Sequence, residues 1–173
     1  MGKRDFEKSR HVEMAAVAAV EAELYRRYNS ELRKGYEVYM TRSNAPVSDL
    51  HCISPKGTPF DISVKGVSSA KTGAIVQGSF FKEVRKNLFL IIVEVPLDQP
   101  DKPFRFFILS LAKAKAEHEK QYEGRIGKDG KAYTKKGDRP LALNPDGTIK
   151  LDGLDRRSFE KYEGPKQWDK LPK

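Results

Sequence analysis

Apolar residues recur at helical spacing from about Ser9 to Arg33, with Val17, Val20, Leu24 and Tyr28 on one stripe, and predict a first helix. The alanines within it (Ala15, Ala16, Ala18, Ala19) predict close packing of that helix against a sheet. The period then drops to two. Gly35-Tyr36-Glu37-Val38 reads as a strand, and residues 48–66, SDLHCISPKGTPFDISVKG, read as two strands joined by a tight turn. Pro55-Lys56-Gly57 suits a three-residue hairpin loop with Gly57 at the position that needs a positive φ. In that register Asp49, opening the first strand, lies across from Ser63, and His51 pairs with Asp61. Side chains alternate along a strand, so Asp61, Ser63 and Lys65 point one way and Ile62 and Val64 the other.

Further along, Ala74 to Gly78 predicts a short fourth strand, with Gln77 near the hairpin if that strand pairs with residues 62–65. The preceding Ser-Ser-Ala-Lys-Thr-Gly loop offers backbone amides and Lys71 to a phosphate, but it lacks the Walker spacing of a nucleotide cradle. Leu88 to Val95 is apolar on both faces, as a central strand should be. Asp98 to Pro103 forms a loop into a strand over Phe104 to Leu109, and Leu111 to Tyr122 reads as a helix. After Gly124 the chain turns rich in glycine and lysine. Arg125, Lys131, Lys135 and Lys136, with Tyr133 among them, suit the backbone and an unstacked base of a nucleic acid. A solvated surface loop has the same composition. Leu141 to Leu154 predicts a small hairpin around Asn144-Pro145-Asp146-Gly147, Arg156 to Tyr162 a short helix, and Trp168 a docked terminus.

A chain of 173 residues has room for one proper core, divided here into residues 1–123 and a basic C-terminal extension over 124–173. The formal net charge of +9 favours a polyanionic partner. No apolar run reaches the length of a membrane span and no secretory leader is seen, so a cytoplasmic, membrane-free setting is expected. The single cysteine, Cys52, excludes an internal disulfide and a cysteine-based zinc site, and alternation puts it on the core side with Leu50.

An acid and a lysine on one side of a small sheet suit metal-assisted phosphodiester cleavage. Mg²⁺ takes hard oxygen ligands, usually one or two carboxylates completed by phosphate and water. A nearby ammonium orients the water or offsets charge in the transition state. An ordinary hairpin with a solvated polar face is the competing account of the same residues. The first helix adds Glu13 and Glu21 on its apolar stripe, where a carboxylate is costly unless it meets a cation or a partner.

With the helix glutamate, the Gly-Tyr-x-Val strand, Asn44 to Leu50, Asp61 to Gly66 and the downstream apolar strands taken together, residues 10 to 123 resemble the PD-(D/E)XK nuclease superfamily. The resemblance implies a restriction-endonuclease-like α/β fold, a mixed central β-sheet with flanking helices in the order αβββαβ. It implies a Mg²⁺- or Mn²⁺-dependent endonuclease acting on DNA, with Asp49 as metal ligand and Lys65 as catalytic lysine. One departure is plain: the family has an acid, sometimes glutamine, two residues before the lysine, and here that residue is Ser63. Asp61 or a helix glutamate is then expected to supply the missing charge, Glu21 ahead of Glu13. The expected catalytic set is Asp49, Ser63, Lys65 and Glu21, and the expected metal ligands are Asp49, Asp61 and Glu21. Cutting both strands of a duplex calls for two sites, so a homodimer is compatible with this reading. The alternative is a module that keeps the fold and has lost catalysis, serving to bind nucleic acid or another protein.

Overall fold

The structure, a computed structural model, describes residues 3–27, 30, 32–41, 48–68, 75–76, 78–97, 99, 101–122, 141–142, 148–151, 155–158 and 160–173. Helix α1 (Lys3–Arg26) is followed by strands β1 (Glu37–Met40), β2 (Leu50–Ile53), β3 (Pro59–Ser68) and β4 (Ile75–Val76). Then come α2 (Gly78–Lys82), β5 (Leu88–Val95), β6 (Arg105–Ser110) and α3 (Leu111–Tyr122). Short strands β7 (Leu141–Ala142), β8 (Thr148–Leu151) and β9 (Asp155–Ser158), a 3₁₀ turn (Glu160–Tyr162) and α4 (Pro165–Trp168) complete the described chain.

The main sheet has five strands in the order β1-β2-β3-β5-β6. β3 and β5 run parallel and every other pair is antiparallel, so the fold is α/β with a mixed sheet flanked by helices. A parallel pair needs a crossover rather than a tight turn, and α2 lies in that connection. The hairpin has the expected register: Leu50 faces Ile62 and His51 faces Asp61. Its turn closes through Gly57 N–H donating to Ser54 O at 2.8 Å, with Gly57 at φ 84°. A side chain is strained in that conformation, which is why glycine stands there.

Alternation divides the core. Ile62 and Val64 of β3 with Phe89, Ile91 and Val93 of β5 meet Val12, Ala16, Val20 and Leu24 of α1 on one face. Val67, Leu88, Leu90 and Ile92 face Phe80 and Phe81 of α2 and Ala114 of α3 on the other. β5 is therefore covered on both sides, as its apolar run requires. Each fully buried Val or Leu contributes about 1.5–3 kcal/mol relative to exposure. Trp168 and Leu171 join the α1 side of the core, which docks the C-terminus as expected.

Several expectations are corrected. The buried stripe of α1 runs through residues 12, 16, 20 and 24, while Val17 is half-buried, and the helix starts and ends earlier than its apolar period implies. β4 pairs with β7 rather than with β3, whose two edges are taken by β2 and β5. Leu141–Ala142 pairs with β4 and β8 pairs with β9, so the two ends of the expected 141–154 hairpin have other partners, its turn over 144–147 lies outside the described residues, and Asp155–Ser158 is strand where a helix over 156–162 was expected. Among the described residues no helix is long and apolar enough to cross a membrane.

Candidate functional site

The site forms where β3 outruns its neighbour. β2 begins at Leu50, opposite Ile62, so the edge of β3 beyond that pair has no described strand beside it. Backbone N–H groups on such an edge must find other acceptors. Asp49 supplies the first: its backbone N–H donates to Ile62 O at 2.8 Å, and its Oδ2 accepts from Val64 N–H at 2.6 Å. The buried Ser63 hydroxyl nearby also favours the ionised Asp49 carboxylate. Glu13 supplies the next acceptor on the same edge, its Oε2 taking Gly66 N–H at 3.1 Å. Its Oε1 takes the Lys65 ammonium at 2.8 Å. Two carboxylates thus cap alternate N–H groups of one strand, roughly 6.5 Å apart along the backbone, with Lys65 between them.

Gly66 makes this possible. A Cβ built there would stand 2.8 Å from the Val12 carbonyl oxygen and 2.8 Å from Val12 Cγ1. Only a glycine lets the backbone of α1 approach β3 closely enough for Glu13, the next residue, to reach over the edge. A glycine inside an apolar strand, opposite an alanine-rich helix, is the signal for such an approach.

Burial dominates the electrostatics of Asp49. Burial raises the Asp49 carboxyl, Val64 N–H and Lys65 lower it, Glu13 raises it again and Ser63 lowers it, and the balance stays above the ordinary carboxylate range. One ammonium serves two carboxylates here. Both carboxylates are hard oxygen donors of the kind Mg²⁺ takes, although both Glu13 oxygens already accept hydrogen bonds. Among the described residues, no group of three or more His, Cys, Asp and Glu side chains is gathered as a metal cage.

The remaining expected residues separate. Asp61 shares the sheet face but is committed elsewhere: Oδ1 meets His51 Nδ1 at 2.9 Å and Oδ2 accepts from Arg85 at 2.7 Å. Arg85 in turn donates to Glu83 at 3.1 Å, a cluster the sequence reading did not foresee. Glu21 lies eight residues beyond Glu13 on α1, about 12 Å along the helix axis. Its carboxylate lies near Tyr25, whose hydroxyl donates to Val38 O at 3.4 Å, and near Cys52, at the turn end of the hairpin. The glutamate brought to Lys65 is therefore Glu13 and not Glu21. Cys52 is inert as a nucleophile: burial first, then the nearby Asp61 and Glu21 carboxylates, push its thiol up to about 12. Lys71, Gln77, Arg125, Lys131, Tyr133, Lys135 and Lys136 lie outside the described residues.

No protein-family model, no curated protein and no solved structure matches the chain.

Proposed function

We propose that the chain is a metal-dependent nuclease that hydrolyses DNA phosphodiester bonds. The observation that carries this reading is the row Asp49–Lys65–Glu13 along the open edge of β3. The element order α1–β1–β2–β3–α2–β5 supports it, being the αβββαβ order that the resemblance implies, with the two-residue β4 paired outside the main sheet. Asp49 and Glu13 would hold the divalent cation, which when bound polarises the phosphoryl oxygen and acidifies a bound water. Lys65, fixed by Glu13, orients the attacking water and offsets charge on the phosphorane oxygens. The Ser63 hydroxyl nearby favours the ionised Asp49 carboxylate. The acid absent at Ser63 is thereby replaced from the helix.

A second reading has its own observation. The Lys65 ammonium is already spent on Glu13, and only two carboxylates converge, which also describes an edge-capped sheet that binds nucleic acid without cutting it. Cleavage of supercoiled plasmid and single-stranded DNA with Mg²⁺ or Mn²⁺ separates the two. Metal-dependent cutting that falls by about 10²-fold or more in Lys65→Ala and vanishes in Asp49→Ala, with DNA binding kept, is the expected result. Equal cutting by wild type and both variants would place the activity elsewhere. No cutting with any metal, beside a clear DNA shift, would leave the binding module.

A further inference from the structure

A cleft of about 400 Å³ opens between the C-terminal turn of α1, the start of β6 and α4, away from the Asp49 row. We propose that it holds one nucleotide of a nucleic-acid strand, its phosphate on Arg27 and its base on Phe104. It rests on the nucleic-acid reading above but not on catalysis.

Three arginines line the cleft, and their commitments differ. Arg105 is saturated: Nε and one terminal nitrogen donate to Glu163, both at 2.7 Å, and the other to Glu94 at 2.9 Å. Arg26 donates to Glu23 at 2.9 Å and is otherwise exposed. Arg27 lies over the Trp168 ring, 4.7 Å from its centroid, and makes a looser ion pair with Glu23 at 3.6 Å. Its Nε is buried without an acceptor. Nearly all buried donors in folded proteins are paired, so this one calls for an acceptor that the described residues do not supply. A guanidinium is a planar fork suited to phosphate oxygens, and the Arg27 side chain, part-exposed, lines the cleft.

The aromatic side of the cleft chooses among anions. Phe104 is 40% exposed and leans on Phe106, which packs edge-on against Trp168. An exposed ring and a guanidinium lining one cleft suit a base and its phosphate, whereas a carboxylate chain would leave the ring unused. The volume suits a single nucleotide and excludes a duplex. The net charge of +9 draws the strand in.

Trp168 is the chain's only tryptophan, so its emission reports on Arg27 directly. The full chain is titrated, without metal, with a short oligothymidylate and separately with a poly-glutamate peptide. The proposal expects a saturable, salt-sensitive change in emission with the oligonucleotide alone. It expects affinity weakened roughly 5- to 100-fold in Phe104→Ala, a surface change that spares the core, and weakened also in Arg27→Gln. Asp49→Ala should titrate as wild type does. No emission change, an unchanged affinity in both cleft variants, or an equal response to poly-glutamate overturns the proposal. Metal-dependent cleavage in a chain that shows no emission change would refute the cleft and spare the nuclease.

Discussion

Gly66→Ala tests the architecture of the site through a single methyl group. The added Cβ would lie 2.8 Å from the Val12 carbonyl oxygen, 3.0 Å from its carbonyl carbon and 2.8 Å from Cγ1. Two of those atoms are helix backbone and cannot rotate away, so α1 must retreat by about half an ångström. Overpacking of this kind costs about 1–3 kcal/mol. At about 2–4 °C per kcal/mol for a chain of this size, the melting temperature falls by roughly 2–12 °C. The same retreat draws Glu13 off Gly66 N–H and Lys65, now held at 3.1 and 2.8 Å, so metal-dependent cleavage falls with it. Thermal melting and plasmid cleavage are read on the same preparations. Adding Val12→Ala removes the Cγ1 contact but leaves the carbonyl, and should restore only part of the stability. A Gly66→Ala chain with unchanged melting and cleavage would refute the close approach. Full recovery in the double variant would show that the side chain, not the helix backbone, sets the distance.

Two further expectations concern charge. The Asp49 carboxyl is raised, so its ionised form is disfavoured in the folded chain, and stability from this group is present at acid pH and lost as pH rises through the folded value. Asp49→Asn should therefore melt higher than wild type near neutral pH, the difference closing below about pH 3.9, while losing any stabilisation by Mg²⁺. A lower melting temperature for Asp49→Asn at neutral pH would contradict this sign. Glu117 is opposite: burial raises its carboxyl, but hydrogen bonds from Lys161 at 2.7 Å and Tyr162 at 2.6 Å outweigh that and hold it low. Its stabilisation is present above the ordinary carboxylate range and lost as pH falls through the folded value. Tyr162→Phe should cost about 1.5–3 kcal/mol at neutral pH and less in acid, and denaturant melts that show no pH dependence of that loss would rule it out.

The hairpin was legible because two local rules agree on it. A turn with glycine at positive φ fixes the loop, and alternation then places His51 opposite Asp61 and Leu50 opposite Ile62, while Asp49 lies just outside the paired strand with its N–H on Ile62 O. β5 and α3 were legible from an unbroken apolar run and from a helical period, and both have the predicted bounds, Leu88–Val95 and Leu111–Tyr122. The choice between Glu13 and Glu21 was not legible. Periodicity gives the face of a helix but not the direction in which it crosses a sheet. Here α1 runs against β3, so Val12 meets Gly66 while Glu21 ends near Cys52. Nearness in sequence to the next strand pointed to Glu21, and the antiparallel crossing reverses that order. The pairing of β4 with β7 was hidden for a related reason: a two-residue strand carries no pattern that names a distant partner such as Ala142 for Ile75.

The central claim is that Glu13, not Glu21, completes a metal site with Asp49 beside Lys65. The most direct measurement is Mn²⁺-dependent cleavage of supercoiled plasmid by Glu13→Gln and Glu21→Gln, each checked for an unchanged fold by circular dichroism. The account predicts that cutting collapses in Glu13→Gln and survives in Glu21→Gln. Collapse in Glu21→Gln with full activity in Glu13→Gln would contradict it.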